Sequence, residues 1–190
     1  MATQQNGYTT VPHATYDEFR TYALTHGVNV DLAWGNQCWD ICALLWYQYG
    51  LSLITRPGGN GVAQDCWLIS RNANAQLPFT LIYNVGDLKR GDVVVFRASG
   101  AYTTGHIGFA DEDYHGSQIN IMGQNQGQGS SYGTPSNVVP WNLTNFLGAF
   151  RNSDWDSAPP TPPPTPTPGN SGKSNFKWVL FGKRARENRL

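Results

Sequence analysis

The spacing of apolar residues changes along this chain near Phe79, and that change limits the folds available to it. Before Phe79 apolar residues recur with a helical period, and after it they alternate with the period of two that is typical of strands. Helices followed by a run of strands favour an α+β fold, with helices packed on one face of an antiparallel sheet. The predicted elements are helices over 16–25, 38–49 and, more weakly, 62–71, and strands over 79–83, 92–97, 106–111, 118–123 and about 146–151.

Short-range signals mark the ends of the first two helices. Thr15 is a suitable N-cap residue and Glu18 follows three positions later, which is the capping-box pattern. Asn36 or Gln37 precedes the second helix, and Gly50 ends it. The second helix is apolar almost all round, which indicates that it is buried.

The composition changes after Asp156. Residues 157–172 are rich in Pro and Thr, which is typical of an extended, semi-rigid linker. Residues 173–190 carry six basic side chains, one acidic side chain and an aromatic-aliphatic cluster, and they are too few to fold alone. We therefore divide the chain into a domain over 1–156, a linker over 157–172 and a basic-aromatic peptide over 173–190.

The distribution of charge excludes some classes of partner. Outside residues 173–190 the chain has seven basic and twelve acidic side chains, which makes that part a poor nucleic-acid binder. No apolar run follows Met1, so we expect no signal peptide, and the apolar stretch near Ile41 is too short to cross a bilayer. Seven Trp and nine Tyr indicate either an exposed binding groove or a core filled with aromatic rings.

Three cysteines are present, and they cannot all pair with one another. Cys38 and Cys42 are one helical turn apart, a spacing that is not the CxxC pattern of metal or redox sites. Cys42 and Cys66 lie within apolar runs and are expected to be buried, reduced core residues.

Cys38 differs from the other two because it stands at the start of a predicted helix. Unpaired backbone N–H groups and the helix dipole favour a thiolate there, so its pKa is expected to fall. His106, which follows Gly105 and opens a strand, is the best candidate for a thiolate–imidazolium pair. The other histidines, His13, His26 and His115, fall in terminal, loop or acidic-turn segments.

A catalytic imidazole also needs a group that orients it, and the thiol needs an oxyanion site. Asn125 or Gln124 can bond the second ring nitrogen of His106. Gln37 can join the Cys38 backbone N–H in stabilising an oxyanion. The non-catalytic alternatives are a packed core cysteine, a structural histidine and a turn-forming asparagine.

These residues lie in motifs that resemble the CHAP family, the cysteine, histidine-dependent amidohydrolases/peptidases related to NlpC/P60 proteins. The resemblance covers about residues 15–152 and implies a papain-like fold. It implies an endopeptidase or amidase that hydrolyses amide bonds in bacterial peptidoglycan. Many members of the family are phage endolysins or virion-associated lysins. The resemblance implies Cys38 as nucleophile, His106 as base and Asn125 as third member, although Gly123 stands where many phage members have Glu. The matching motifs are Asn36-Gln37-Cys38-Trp39-Asp40, Lys89-Arg90-Gly91-Asp92-Val93-Val94-Val95-Phe96, Gly105-His106-Ile107-Gly108 and Ile121-Met122-Gly123-Gln124-Asn125.

The same resemblance raises two further expectations. Some phage members bind Ca²⁺ at positions that match Asn29, Asp31 and Asp40. Two carboxylates and an amide imply a weak calcium site at best. We expect that no cofactor is required for activity. The alternative is that Asp31 and Asp40 cap the loop and the helix by hydrogen bonds. Known endolysins often carry a folded wall-binding module, but residues 173–190 are too few for one. The peptide is interpreted as an anchor that docks on a virion or tail protein. The alternatives are that it binds wall polymers or lipid, or that it has no role.

The resemblance and the absence of a signal peptide also set an expected location. We expect a protein made in the cytoplasm of a bacterial host and acting either from the virion or at host lysis. The rival interpretation is a non-catalytic virion structural or wall-binding module built on a lysin-derived fold.

Overall fold

The computed structural model describes residues 3–5, 9–56, 61–127, 131 and 133–156. The described residues belong to one compact unit, which falls within residues 1–159. The linker and the C-terminal peptide inferred from the sequence lie outside the described residues. Within the described ranges, no helix has the length and apolar character needed to cross a membrane.

The described chain contains five α-helices and eight strands. The helices are α1 (Tyr16–Ala23), α2 (Cys38–Gln48), α3 (Asp65–Leu68), α4 (Arg71–Asn74) and α5 (Ser153–Asp156). The strands are β1 (Thr3–Gln5), β2 (His26–Val28), β3 (Phe79–Ile82), β4 (Val93–Phe96), β5 (His106–Ala110), β6 (Gln118–Gly123), β7 (Asn137–Asn142) and β8 (Phe146–Asn152).

Six of the strands form one antiparallel sheet in the order β3-β8-β4-β5-β6-β7. All five strands predicted from the sequence are confirmed. The periodicity missed β7, which contains Pro140; because β7 is an edge strand, a residue without a backbone N–H is tolerated there. It also missed the short parallel pair of β1 and β2.

Both predicted long helices are confirmed, with small differences in their ends. The Thr15 hydroxyl accepts from the Glu18 N–H and the Glu18 carboxylate accepts from the Thr15 N–H, each at 3.2 Å, so the capping box is present. Helix α1 ends at Ala23, two residues before the predicted end. Helices α3 and α4 replace the single short helix predicted over 62–71.

Alternation along the strands separates two apolar clusters. Val93 and Val95 belong to the larger core with α1, α2 and α3, whereas Val94 and Phe96 belong to a smaller cluster on the other face of the sheet. Helix α2 is buried almost all round, as predicted, and packs on β5. This packing brings the first residue of α2 to the first residues of β5, at one end of the sheet.

Candidate active site

Cys38 is the first residue of α2 and lines a cavity of about 350 Å³. Its side chain is only 8% exposed. Burial raises the pKa of the Cys38 thiol to about 11, and the backbone N–H groups of Ile107 and Trp39 oppose that rise only in part. The expectation that the helix start lowers this pKa is therefore wrong for the unliganded protein, because desolvation outweighs the helix terminus.

His106 opens β5 directly before Ile107, whose backbone N–H bonds the Cys38 thiol, so the packing of α2 on β5 brings the thiol to the strand residue that follows the imidazole. The imidazole is 1% exposed, and burial lowers the pKa of His106 to about 4. One ring face is stacked on Trp141, with centroids 4.4 Å apart and planes tilted by 7°. Tyr102 lies at 5.2 Å from the same ring. Both thiol and imidazole are thus uncharged at neutral pH when considered singly.

Gln126 is the group that bonds the second nitrogen of His106. Its Oε1 lies 2.9 Å from His106 Nε2. Its Nε2 donates to the carbonyl oxygens of Ile121 at 2.8 Å and Asn137 at 2.9 Å. Because the amide nitrogen is used by two acceptors, Oε1 must face the ring and accept from Nε2–H. This arrangement fixes the tautomer and leaves Nδ1 as the ring nitrogen available to a thiol.

The structure contradicts the expectation that Asn125 or Gln124 orients His106. Asn125 has a left-handed backbone (φ 51°), and its Nδ2 donates to Gln37 Oε1 at 2.9 Å. Gln124 is bonded to the backbone N–H and carbonyl of Val28 and to the carbonyl of Gln37. Gln124, Asn125 and Gln126 are consecutive amide side chains, and no local sequence signal shows which of them bonds His106. The left-handed turn at Asn125 directs Gln126 to the imidazole.

Gln37 lines the cavity beside Cys38, as its predicted role requires. Its Nε2 donates to the backbone carbonyl of Trp34 at 2.5 Å, and its Oε1 accepts from Asn125. These bonds fix the amide against the rim of the cavity, where Trp34 is 74% exposed with φ 53°. An amide nitrogen has two hydrogens, so the second hydrogen of Gln37 Nε2 is the one that can serve an oxyanion.

The three residues matched to a calcium site have different surroundings. Asp40 is buried and accepts backbone N–H groups from Val30 at 2.8 Å and Gln37 at 2.7 Å. Burial, with the nearby Asp31 as a lesser cause, raises the pKa of Asp40 to about 7. Asp31 is exposed and accepts the Ala33 N–H at 2.9 Å. Both carboxylates are therefore caps, the alternative that the sequence left open.

Asn29, the third residue of that set, is fully buried, and neither polar atom of its side chain has a hydrogen-bond partner within the described chain. Calcium takes six to eight oxygen ligands. Both Asp40 oxygens and one Asp31 oxygen accept backbone N–H groups in this structure, and the weak calcium site stays a prediction. The described residues also contain no group of three or more His, Cys, Asp or Glu side chains able to hold a metal.

Cys42, Cys66 and His115 match their sequence interpretations, whereas His26, expected in a loop, is the first residue of β2. Cys42 and Cys66 are free thiols with no exposed surface, so they are core residues. His115 is a surface residue, 3.2 Å from Glu112. His26 is stacked on Tyr22 at the surface of α1, at 4.2 Å.

A family model described as the CHAP domain matches residues 27–125, just over half of the chain. The chain belongs to the CHAP domain family. The match includes Cys38, His106 and Asn125 and ends one residue before Gln126. The family resemblance inferred from the sequence motifs is thereby confirmed, while the family model does not reach the residue that orients the imidazole here.

This CHAP domain is also similar to curated and solved proteins. It is 29% identical over 150 residues to the D-alanyl-L-alanine endopeptidase of Streptococcus phage B30, a match over 76% of this chain and 32% of the relative. The chain thus spans about a third of the length of that relative.

Among solved structures, endolysin LysIME-EF1 matches 75% of this chain and 64% of its own, with 22% identity and a TM-score of 0.54. Ly7917 matches 76% of this chain and 63% of its own, with 18% identity and a TM-score of 0.48. The LysIME-EF1 likeness confirms the α+β fold, with helices on an antiparallel sheet.

Proposed function

We propose that this CHAP domain hydrolyses amide bonds of bacterial peptidoglycan through an acyl-enzyme on Cys38. One observation carries the proposal: a cavity-lining thiol at the start of α2 is bonded by the backbone N–H of Ile107, the residue that follows an imidazole whose tautomer Gln126 sets. Family membership and the similarity to a phage D-alanyl-L-alanine endopeptidase support the substrate class. An endopeptidase or an N-acetylmuramoyl-L-alanine amidase satisfies the same geometry.

In the acylation half, His106 acts first as base and then as acid. The Cys38 thiol gives its proton to Nδ1 of His106 while the sulfur attacks the carbonyl carbon of the scissile amide. The C–N bond then breaks as Nδ1–H passes the proton to the leaving amine. The acyl group remains on sulfur as a thioester, and His106 is again neutral.

In the deacylation half, water replaces the amine. Nδ1 of His106 takes a proton from water as the hydroxide oxygen attacks the thioester carbonyl, and the C–S bond breaks. The proton on Nδ1 returns to the Cys38 sulfur, and the acid product leaves. In both halves the oxyanion is stabilised by the Cys38 backbone N–H and by Gln37 Nε2.

Desolvation explains why the charged forms must appear together. Burial raises the pKa of Cys38 and lowers the pKa of His106, so a lone thiolate or a lone imidazolium is unfavourable. A thiolate beside an imidazolium partly restores the lost solvation of each through their attraction. Proton transfer is therefore expected to accompany attack on the substrate rather than to precede it.

Residues 157–190 extend the proposal to the whole chain. The Pro/Thr composition of 157–172 and the basic-aromatic composition of 173–190 support a tethered anchor that docks on a virion or tail protein. The domain would then be made in the cytoplasm of a bacterial host and delivered with a phage particle. Release at lysis, without an anchor partner, is the other setting for the same chemistry.

Zymography on purified cell walls tests the proposed reaction, with Cys38→Ala as the matched inactive control. Clearing by the native chain and none by the variant is the expected result. Mass spectrometry of the soluble products then identifies the bond that is cut. No clearing by a folded native chain on walls of several peptide types would overturn the hydrolase proposal in favour of a binding module.

A further inference from the structure

A second cavity, of about 340 Å³, is lined by neighbours of His106 and shares no lining residue with the cavity of Cys38. Tyr102 and Trp141 provide aromatic walls, and Val139 and Pro140 provide aliphatic surface. Val139 and Trp141 are two positions apart on β7, so their side chains share one face of that strand. Gln126 contributes the amide wall.

This second cavity is connected to the base by direct contacts. Gln126 accepts from His106 Nε2, and Trp141 is stacked on the imidazole. Tyr102 contacts the rings of both His106, at 5.2 Å, and Trp141, at 4.6 Å. A group bound in the cavity therefore contacts Gln126 and Trp141, the two residues that hold the imidazole.

The two cavities differ in charge. The first, which Cys38 lines, includes the carboxyl groups of Asp31 and Asp40. The lining of the second contains no charged side chain in the part of the chain that the structure describes. An ionic side chain placed against Trp141 and Val139 would lose solvation without a partner, which is unfavourable.

The proposed reaction gives the two cavities different occupants. The acyl group becomes bonded to Cys38 and so remains with the first cavity, whereas the amine must receive its proton from His106. We propose that the second cavity binds the residue on the amine side of the scissile amide, and that it selects an uncharged side chain there. This inference rests on the proposed hydrolase function and adds the chemical class of the leaving group.

Capture of the acyl-enzyme by added amines tests the inference. An amine attacks the thioester carbonyl, passes a proton to Nδ1 of His106, and the C–S bond breaks to give a new amide and, once that proton reaches sulfur, the Cys38 thiol. The ratio of aminolysis to hydrolysis product reports amine binding separately from acylation. The amines are L-alaninamide and L-leucinamide (uncharged side chains), L-aspartic acid α-amide (anionic) and L-lysinamide (cationic), each with a soluble wall peptide as acyl donor.

With the native chain, the uncharged amines should be captured about tenfold more than either charged amine, a factor equivalent to about 1.4 kcal/mol. Val139→Lys should reduce capture of L-leucinamide and raise capture of L-aspartic acid α-amide over L-lysinamide by about tenfold. Thr80→Lys adds the same charge on the exposed far edge strand β3 and should leave every ratio unchanged.

The outcomes separate this inference from the proposed function. Equal capture of charged and uncharged amines by the native chain would overturn the inference while hydrolysis continues. Ratios that Val139→Lys and Thr80→Lys alter equally would also overturn it. If the native chain forms no acyl-enzyme on Cys38, the hydrolase proposal itself fails. The comparison of charged and uncharged amines with the native chain does not need the variant, so the test remains valid if Val139→Lys does not fold.

Discussion

Nε2 of His106 and Oε1 of Gln126 lie 2.9 Å apart, and the orienting group of the proposed base is therefore a neutral amide. An amide fixes the plane and tautomer of the ring but, unlike a carboxylate, adds no charge that favours imidazolium. Burial lowers the pKa of His106 to about 4. The imidazole is accordingly neutral at any pH well above that value, which is the state that the proposed base needs.

The first prediction concerns Gln126. Gln126→Ala should lower kcat about 10²-fold with little change in KM, because the ring loses its fixed tautomer. Gln126→Glu should raise the pKa of His106 and move the acid limb of the kcat/KM profile to higher pH, because a carboxylate favours imidazolium. Rates on a soluble wall peptide between pH 4 and 9 measure both effects.

Asn125→Ala is the matched control for that prediction. Its side chain bonds Gln37 rather than the imidazole, so the acid limb should stay where it is in the native chain. A shifted acid limb in Asn125→Ala, together with an unshifted one in Gln126→Glu, would restore the assignment made from the sequence.

The second prediction concerns the reactivity of Cys38. Iodoacetamide should modify Cys38 before Cys42 or Cys66, because Cys38 lines a cavity whereas Cys42 and Cys66 have no exposed surface. With the pKa of Cys38 raised to about 11, the rate should rise roughly tenfold per pH unit from pH 7 to 10. Peptide mapping by mass spectrometry gives the site and the rate. A rate that levels off by pH 8 would instead indicate a preformed thiolate–imidazolium pair.

The third prediction concerns calcium. Asp40 and Asp31 act as caps, so EDTA should change the activity and the melting temperature only slightly. The measurement is a thermal unfolding scan and a wall-lysis assay, with and without EDTA and with Ca²⁺ added back. Complete loss that Ca²⁺ alone restores would show that Asn29, Asp31 and Asp40 rearrange into a real site.

The fourth prediction concerns the buried ion pair of Arg151 and Asp92. Two guanidinium nitrogens donate to the Asp92 carboxylate at 2.9 and 2.8 Å, and Asp92 is 1% exposed. Arg151→Met should lower the free energy of unfolding by about 3–5 kcal/mol, because it leaves a buried carboxylate without its partner. Urea unfolding measures the change.

Arg90→Met supplies the comparison for that variant. Arg90 pairs with Asp17, whose side chain is 75% exposed, so its loss should cost about 1 kcal/mol or less. Equal destabilisation by the two variants would mean that the burial of Asp92 contributes nothing to the effect.

The fifth prediction concerns the C-terminal peptide. Deletion of residues 157–190 should leave hydrolysis of soluble wall peptides unchanged and should abolish co-purification with phage particles, if the peptide is the anchor that we propose. Lys177→Glu with Lys183→Glu is the control that keeps the full chain length while reversing charge, and it should weaken co-purification without altering hydrolysis. Reduced hydrolysis of soluble peptides by the truncated chain would show that the segment belongs to the catalytic domain.

The sequence predicted the elements better than the contacts at the site. Five strands and two long helices followed from periodicity and capping residues, because those signals are local. The partner of His106 could not be predicted from local signals, because its position depends on a left-handed turn at Asn125 and on backbone carbonyls of two separate strands. The pKa of Cys38 was predicted in the wrong direction, because burial depends on the whole fold and outweighs the helix terminus.

The edge strand β7 has a consequence for how this domain loses activity. The residues that hold the imidazole in place, through the Asn137 carbonyl and the Trp141 ring, belong to a strand with only one hydrogen-bonded neighbour among the described strands. Strands of that kind open by local fluctuations that cost less than global unfolding. Amide exchange in β7 should therefore be faster than in β4 or β5, and heat should inactivate the domain before its sheet melts.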